Sequence, residues 1–324
     1  MRGKAGRIFL GLAVLLCVHP LIALAQSFLV RPVRWIVPFP PGGAADISSR
    51  LLGQKLTERW GQQVLIDNRP GAGGNLGTEL AARAAPDGYT VVLVPSTFTT
   101  YPSLVRKPLF DPVKDFSPIT LVSSSPVMLV VHPALPAKSV RELVALAKAR
   151  PDQLNYASSG IGASAHMAAE LFKSTTKTSI VHVAYKGQPP AIIDLVSGQV
   201  QLMFPNIPSV LPQIKANRLR PLAVTTAGRS ALFPEMPTVA ESGFPGFEVT
   251  QWGGLVAAAG VPAAITEKFQ KDLSVVLNQP EVKQSLLSHG FEAVGNTPAQ
   301  FAAYIRDEIA KWAKIIVEAD IKAE

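Results

Sequence analysis

The feature that most constrains this chain is a repeated alternation of short, β-branched apolar runs with longer amphipathic stretches. Val33-Arg34-Trp35-Ile36-Val37, Val64-Leu65-Ile66 and Thr90-Val91-Val92-Leu93-Val94 each read as a buried strand. So do Val127-Met128-Leu129-Val130-Val131, Ile180-Val181-His182-Val183 and Val200-Gln201-Leu202-Met203-Phe204, with weaker strands at 222–225 and 255–257. Near-continuous apolar strands between helices predict an α/β fold whose sheets are mostly parallel and covered on both faces.

The helices announce their starts. Ser139-Val140-Arg141-Glu142 has capping-box spacing, in which the Ser oxygen and the Glu carboxylate satisfy backbone donors reciprocally. Val140, Leu143, Val144 and Ala147 then fall on one face. Thr297-Pro298-Ala299-Gln300 is a second box with Pro at the first helical position, followed by Phe301, Ile305, Ile309 and Trp312. After Pro262, an apolar stripe of Ile265, Phe269, Leu273 and Val276 marks another helix.

At 324 residues the chain suits two lobes. No Gly/Ser-rich joint separates them, which favours lobes linked by crossing strands, with crossings expected near 117–124 and 223–227. The expected division is residues 26–120 plus 226–324 for lobe 1 and 121–225 for lobe 2.

The N-terminus reads as a secretory signal. Arg2, Lys4 and Arg7 precede an apolar run over 8–24, and Ala23-Leu24-Ala25 forms a small-x-small cleavage site before Gln26. The run carries His19 and Pro20 and falls short of the roughly 20 residues of a membrane span. Residues 1–25 are therefore expected to be removed. Cys17 lies inside that run behind Leu16, where lipidation needs a small residue. As the single cysteine leaves with the leader, the mature chain has no disulfide or thiol chemistry. Removal of Arg2, Lys4 and Arg7 lowers the formal net charge from +8 to +5. The remaining basic residues are scattered, without a basic stripe interleaved with aromatics, so nucleic acid is not an expected partner. A mild positive field either attracts an anionic solute or only maintains solubility.

Three loops could carry chemistry. In the first, Val37-Pro38-Phe39-Pro40-Pro41-Gly42-Gly43-Ala44-Ala45-Asp46, a strand feeds a glycine turn and then a helix running to about residue 60. Such a turn leaves backbone N–H groups pointing at open space with the positive dipole end behind them, an anion site without a cationic side chain. A simple tight turn is the competing reading. Asp46 is either a carboxylate favoured by the helix dipole, a ligand contact or a brace for the loop. The second, Asn155-Tyr156-Ala157-Ser158-Ser159-Gly160-Ile161-Gly162-Ala163-Ser164-Ala165-His166, repeats the strand–turn–helix arrangement and adds Ser158, Ser159 and Ser164 as hydroxyl donors. Two such sites, one in each half, suit a cleft between lobes and the two ends of a dicarboxylate. The third, Arg69-Pro70-Gly71-Ala72-Gly73-Gly74-Asn75-Leu76-Gly77, has G-x-G-x-x-x-G spacing and lacks a clear acidic partner, so a close-packed turn is favoured over a nucleotide loop and no cofactor is expected.

An exported serine hydrolase using Ser159 or Ser164 with His166 is the alternative. No G-x-S-x-G elbow surrounds these serines, and residues two apart on a helix face different ways. His132, His182 and His289 show no metal-ligand spacing with another His or a Cys, so no metal site is expected.

Taken in order, the motifs resemble the substrate-binding proteins of tripartite tricarboxylate transporters, the Bug family. The resemblance rests on Phe39-Pro40-Pro41-Gly42-Gly43 with Asp46, Asn68-Arg69-Pro70-Gly71-Ala72-Gly73-Gly74-Asn75 and Pro86-Asp87-Gly88-Tyr89. It continues through Ser158-Ser159-Gly160 with Ser164 and His166, Tyr185-Lys186-Gly187, Ile207-Pro208-Ser209 and Pro237-Thr238-Val239-Ala240-Glu241. It implies a periplasmic, monomeric binding protein of type II architecture, whose two α/β lobes close over a small carboxylate, an amino acid or an aromatic acid. It implies ligand contacts at Phe39, Pro41, Gly42, Gly43, Ala44, Ala45 and Asp46, at Ser96 and Thr97, at Ser158, Ser159, Gly160, Ala163, Ser164 and His166, and at Asn206. The partners it implies are transporter membrane subunits or a sensor kinase; it implies no enzymatic activity. This chain departs from the family pattern at Gln188-Pro189-Pro190, at Gln201 and Pro205 where Asp is common, and at Thr97-Phe98-Thr99, where Phe98 is expected to face the pocket. Ligand identity is left open by these departures.

Overall fold

The computed structural model describes residues 28–230 and 233–321, so the expected leader at 1–25 lies outside the described residues. The chain begins with strand β1 (Val33–Val37), helix α1 (Ala44–Trp60), β2 (Val64–Asn68), α2 (Asn75–Ala82), β3 (Thr90–Pro95) and α3 (Thr97–Leu104). A long strand, β4 (Phe116–Pro126), leads into β5 (Met128–Val131), α4 (Val140–Ala149), β6 (Asn155–Ser158), α5 (Ser164–Thr176) and β7 (Val181–Ala184). Then follow α6 (Gln188–Val196), β8 (Leu202–Met203), α7 (Ile207–Lys215), β9 (Arg220–Val224) and β10 (Thr250–Ala258). The last elements are α8 (Ala263–Leu277), α9 (Pro280–Ser288), β11 (Glu292–Ala293) and α10 (Pro298–Glu318).

These strands form two sheets, ordered β11-β4-β10-β3-β1-β2 and β7-β6-β8-β5-β9. The α/β class and the two lobes are as expected, but the sheets are mixed rather than mostly parallel. β1 pairs in parallel with β2 and β3, whereas β10 runs antiparallel to both β3 and β4. In the second sheet β6 pairs in parallel with β7 and β8, whereas β5 runs antiparallel to β8 and β9. Apolar periodicity marks a strand but carries no direction, and the chain's passage between lobes sets the direction of β4 and β10. Two strands expected to be buried, β2 and β7, are edge strands and only partly covered.

The first crossing lies at the end of β4: Thr250 pairs with Pro126 in the first sheet, and Met128 pairs with Val224 in the second. The return crossing is not at 223–227. It lies at 249–250, because residues 237–249, part of the stretch from 226 on that the sequence assigns to lobe 1, bond and pack onto the second sheet. Val224 N–H donates to Pro237 O and Val239 N–H to Val224 O, while Val239, Phe247 and Val249 share a core with Leu129, Tyr156 and Phe172. Thr225 ties the two crossings side by side. Its N–H donates to Val127 O, its C=O accepts from Val249 N–H, and its buried hydroxyl lies 3.0 Å from Val127 O and 2.6 Å from Val249 O.

Helix α10 spans the junction. Its first half packs Phe301 and Ile305 against Trp252 on the first sheet, and its second half packs Trp312, Ile315 and Ile316 into the core of the second. Its expected box is complete: Thr297 Oγ1 accepts from Gln300 N–H while Gln300 Oε1 accepts from Thr297 N–H. At α4 only half of the box forms as expected. Ser139 Oγ accepts from Glu142 N–H, but the Glu142 carboxylate accepts from Lys138 N–H, one residue upstream. The stripe of Val140, Leu143, Val144 and Ala147 is buried as anticipated.

Candidate functional site

The loops from β1 to α1 and from β6 to α5 share one construction. Gly42 and Gly162 both adopt left-handed backbone, with φ of 83° and 77°, where a side chain would be strained. Each is followed by an extended cap residue, Gly43 (ψ 166°) or Ala163 (ψ 156°), neither of which has a side-chain oxygen to cap its helix. The first helical bonds come from Ile47 N–H to Gly43 O and from Met167 N–H to Ala163 O. The N–H groups of the first helical turn have no helical carbonyl to reach and lie at the positive end of each helix.

In both loops the side chain four residues after the left-handed glycine accepts that glycine's N–H. Asp46 Oδ2 takes Gly42 N–H at 2.9 Å, and His166 Nδ1 takes Gly162 N–H at 3.0 Å. Asp46 is 2% exposed and fully engaged, receiving Arg50 Nε at 3.0 Å and Asn68 Nδ2 at 2.9 Å. Asn68 Nδ2 also reaches Phe39 O at 3.1 Å, closing the base of the loop. The hydrogen bond from Arg50 outweighs the cost of burial and, with Gly42 and Asn68, holds the Asp46 carboxyl down at about 2. Of its three sequence readings, the brace is the one the side chain performs.

His166 is 4% exposed and stacks on His182 at 4.2 Å, which in turn stacks on Tyr156 at 4.7 Å. Burial first, then neighbouring His182 and Lys173, push the His166 ring down to about 3, so it is neutral at physiological pH. With Nδ1 accepting from Gly162, its proton sits on Nε2. His182 is lowered as well, chiefly by burial, and its Nε2 lies 2.7 Å from Ser158 Oγ. Ser158 Oγ also accepts Gly160 N–H at 3.2 Å. Beneath the stack, Tyr156 donates to Glu170, which accepts Lys173 Nζ at 2.8 Å.

The loops open on two cavities separated by the end of β3. One, of about 590 Å3, is lined by Phe39, Pro41, Gly42, Gly43, Ala45 and Asn206 among the anticipated residues, with Pro95 on its β3 side. The other, of about 630 Å3, takes Thr97, Ser159 and Gly160, with Tyr101, Tyr185 and Lys186. Ser96, Thr97 and Ser164 meet in a narrow gap beside Gly162. Ala44 is the first residue of α1, and Ala163 is the partly exposed cap of α5. Among the residues lining the two large cavities, Lys186 is the single charged one.

Three anticipated contacts face inward instead. Asp46, Ser158 and His166 are buried, and their side chains bond to the loops' own backbone rather than to open space. Phe98, expected at the pocket, is 1% exposed and packs on Phe110 and Phe116, because α3 turns that face toward the sheet. Conversely, Gln251, Gly253, Ser123 and Phe291 line the first cavity without having been anticipated. Searching the C-terminal ends of parallel strands misses β10, which is antiparallel and so brings its N-terminal end to that edge. The third glycine loop is packed only in part: a Cβ on Gly77, inside α2, would lie 2.7 Å from Arg69 O and 3.0 Å from Pro38 Cβ, whereas Ala72, Gly73 and Asn75 line the second cavity.

The geometry does not favour the hydrolase alternative. His166 spends Nδ1 on Gly162 and is a weak base, and the serine that does reach a histidine, Ser158, has no solvent access. Among the described residues, no cluster of three or more His, Cys, Asp or Glu is placed to hold a metal ion.

Comparison with known proteins agrees with this architecture. The model of the "tripartite tricarboxylate transporter family receptor" matches residues 48–321. Protein BugT of Bordetella pertussis is 36% identical over 300 residues, covering 92% of each chain. The structure of Rpa4515 from R. palustris with adipate is 35% identical with a TM-score of 0.77, covering 92% of this chain and all of that one. MatC from Rhodopseudomonas palustris with bound malate is 31% identical with a TM-score of 0.73, covering 89% of this chain and all of that one. The family match over residues 48–321 and the relatives that cover the chain almost end to end, together with two mixed sheets joined by crossing strands, place this chain in the tripartite tricarboxylate transporter receptor family of solute-binding proteins, the family of the Bug proteins.

Proposed function

We propose that this chain is a periplasmic receptor that captures a small organic carboxylate between its lobes, delivers it to a membrane partner and catalyses no reaction. The observation that carries this reading is the matched pair of glycine turns, one from each lobe, each leading to a helix start without a side-chain cap and each opening on a cavity, with Lys186 the single charged residue lining the two. Helix N-termini bind anions through backbone N–H groups and the dipole, so the carboxylate needs no cationic partner. Pro41, Gly42, Gly43, Ala44 and Ala45 hold it from one lobe, and Ser159, Gly160, Ala163 and Ser164 from the other. Ser96, Thr97, Phe39 and Asn206 complete the walls, while Asp46, Ser158 and His166 keep the two turns in shape. Adipate in Rpa4515 and malate in MatC support a carboxylate. The leader is cleaved after Ala25, and the mature monomer meets transporter membrane subunits or a sensor kinase.

The test is a thermal-shift screen of the mature chain with mono-, di- and tricarboxylates, alongside Gly43→Asp. The nearest atom to a Cβ on Gly43 is Pro40 O at 3.8 Å, so the aspartate fits. It would cap α1 with its own carboxylate and occupy the anion position. The wild-type chain should melt higher with a carboxylate, and Gly43→Asp should melt at least as high without ligand yet gain nothing on its addition. An undiminished shift in Gly43→Asp, or no shift in the wild type with any carboxylate, overturns the proposal.

A further inference from the structure

We infer that Gly253 sets the size of the ligand, by leaving open the floor of the first cavity for the apolar body of a carboxylate of six or more carbons. This rests on the carboxylate-receptor reading above and adds to it the shape of the molecule received.

Strand β10 alternates its faces. Trp252 and Gly254 face α10: the Trp252 ring meets Phe301 edge-on at 5.8 Å, and a Cβ on Gly254 would lie 2.1 Å from Phe301 Cζ. Gly254 is thus required by packing. Gly253 points the other way, and packing does not require it to be glycine. Its φ is not in the left-handed region, and a Cβ there would make only ordinary contacts, at 3.4 Å, with Leu93 Cδ1 and Ser123 Oγ. Backbone and neighbours both admit a methyl group at this position. Without one, the space above Gly253 joins a cavity of about 590 Å3.

That volume lies in the range of sites that take drug-sized ligands. Leu93 lies beside Gly253, Phe39 and Phe291 line the same cavity, and the polar groups present, such as Ser123 and Gln251, are neutral. A second carboxylate driven to this depth would be desolvated with no cation to meet it. A hydrocarbon body, by contrast, gains from burial there in proportion to its area. Gly42 and Gly43 line the same cavity and are exposed, whereas Gly253 is partly buried. The ligand therefore enters tail first over Gly253 and leaves its carboxylate at the turn.

The experiment is calorimetric titration of the mature chain with straight-chain monocarboxylates from butanoate to octanoate and with cyclohexanecarboxylate, in wild type, Gly253→Ala and Gly253→Val. Affinity in the wild type should rise with chain length. Gly253→Val should lose at least tenfold for octanoate and cyclohexanecarboxylate while holding butanoate within twofold, and Gly253→Ala should fall between. The alanine variant carries the test if valine prevents folding, with thermal melting as the check on each. A wild type whose affinity does not rise with length, or variants that track it along the whole series, overturn the inference. Binding of malate or citrate with none of the monocarboxylates overturns it and leaves the receptor reading intact. Binding of no carboxylate at all removes both.

Discussion

Acid should weaken this fold through His166, and by a predictable amount. The ring is buried and neutral, with its titration pushed from 6.5 down to about 3, chiefly by burial. The unfolded chain therefore binds more protons at any pH below 6.5, and stability falls as the pH drops. The contribution is complete above 6.5, declines as the pH falls below that value, and is exhausted near 3. Between pH 7.5 and pH 5.0 the linkage relation gives a loss of about 2 kcal/mol from this one side chain. His182 is lowered too, by burial, and adds to the loss with the same sign. Asp46 does not contribute in this window, because its stabilising effect is lost only below its ordinary value of 3.8. The assay is urea unfolding at both pH values, followed by fluorescence and circular dichroism together so that a coincident transition licenses a single free energy. The comparison variant is His166→Gln, whose amide oxygen can still accept Gly162 N–H. The wild type should lose about 2 kcal/mol more than His166→Gln on going to pH 5.0. If the two lose the same amount, His166 is not held neutral by its surroundings and the reasoning fails.

Two further outcomes follow from the bonding. Asp46→Ala leaves Gly42 N–H without its acceptor and leaves Asn68 Nδ2 only Phe39 O, while half-exposed Arg50 recovers water; it should cost about 2–3 kcal/mol in chemical unfolding, with Asp46→Asn recovering part. Thr225→Val removes the hydroxyl shared by the two crossing strands and should cost about 1–2 kcal/mol, read the same way.

Local signals foretold local structure well. β1, with buried Trp35 and Ile36, and β3, with buried Val91 and Val92, are central strands, so their apolar runs and their burial agree. The Thr297 box forms in full, whereas the equally local Ser139 box forms by half because the Glu142 carboxylate takes Lys138 N–H instead. The start of α1 after Gly43 and of α5 after Ala163 followed from the glycine turns, whose left-handed backbone is a property of residues 42 and 162 themselves. The return crossing differs from the expected one because nothing near 225 reveals that Val239, Phe247 and Val249 share a core with Leu129 and Phe172, far away in sequence. The same limit applies to the cavity floor, since Gly253 and Ser123 become neighbours only when β10 pairs with β4.

The sequence by itself determined where strands and helices begin, that two glycine turns would each expose a helix start, and that the chain resembles a receptor family. These follow from periodicity, φ preference and capping, all short-range properties. Tertiary structure alone decided strand direction, the point of return between lobes, and which polar side chains face the cleft. Asp46 and His166 illustrate the difference: their spacing from Gly42 and Gly162 is written in the chain, but their burial comes from Asn68 and Arg50 in one lobe and from the Tyr156–His182 stack in the other. Burial depends on the packing of distant segments, and it is burial that turned these two residues from ligand contacts into supports for the loops.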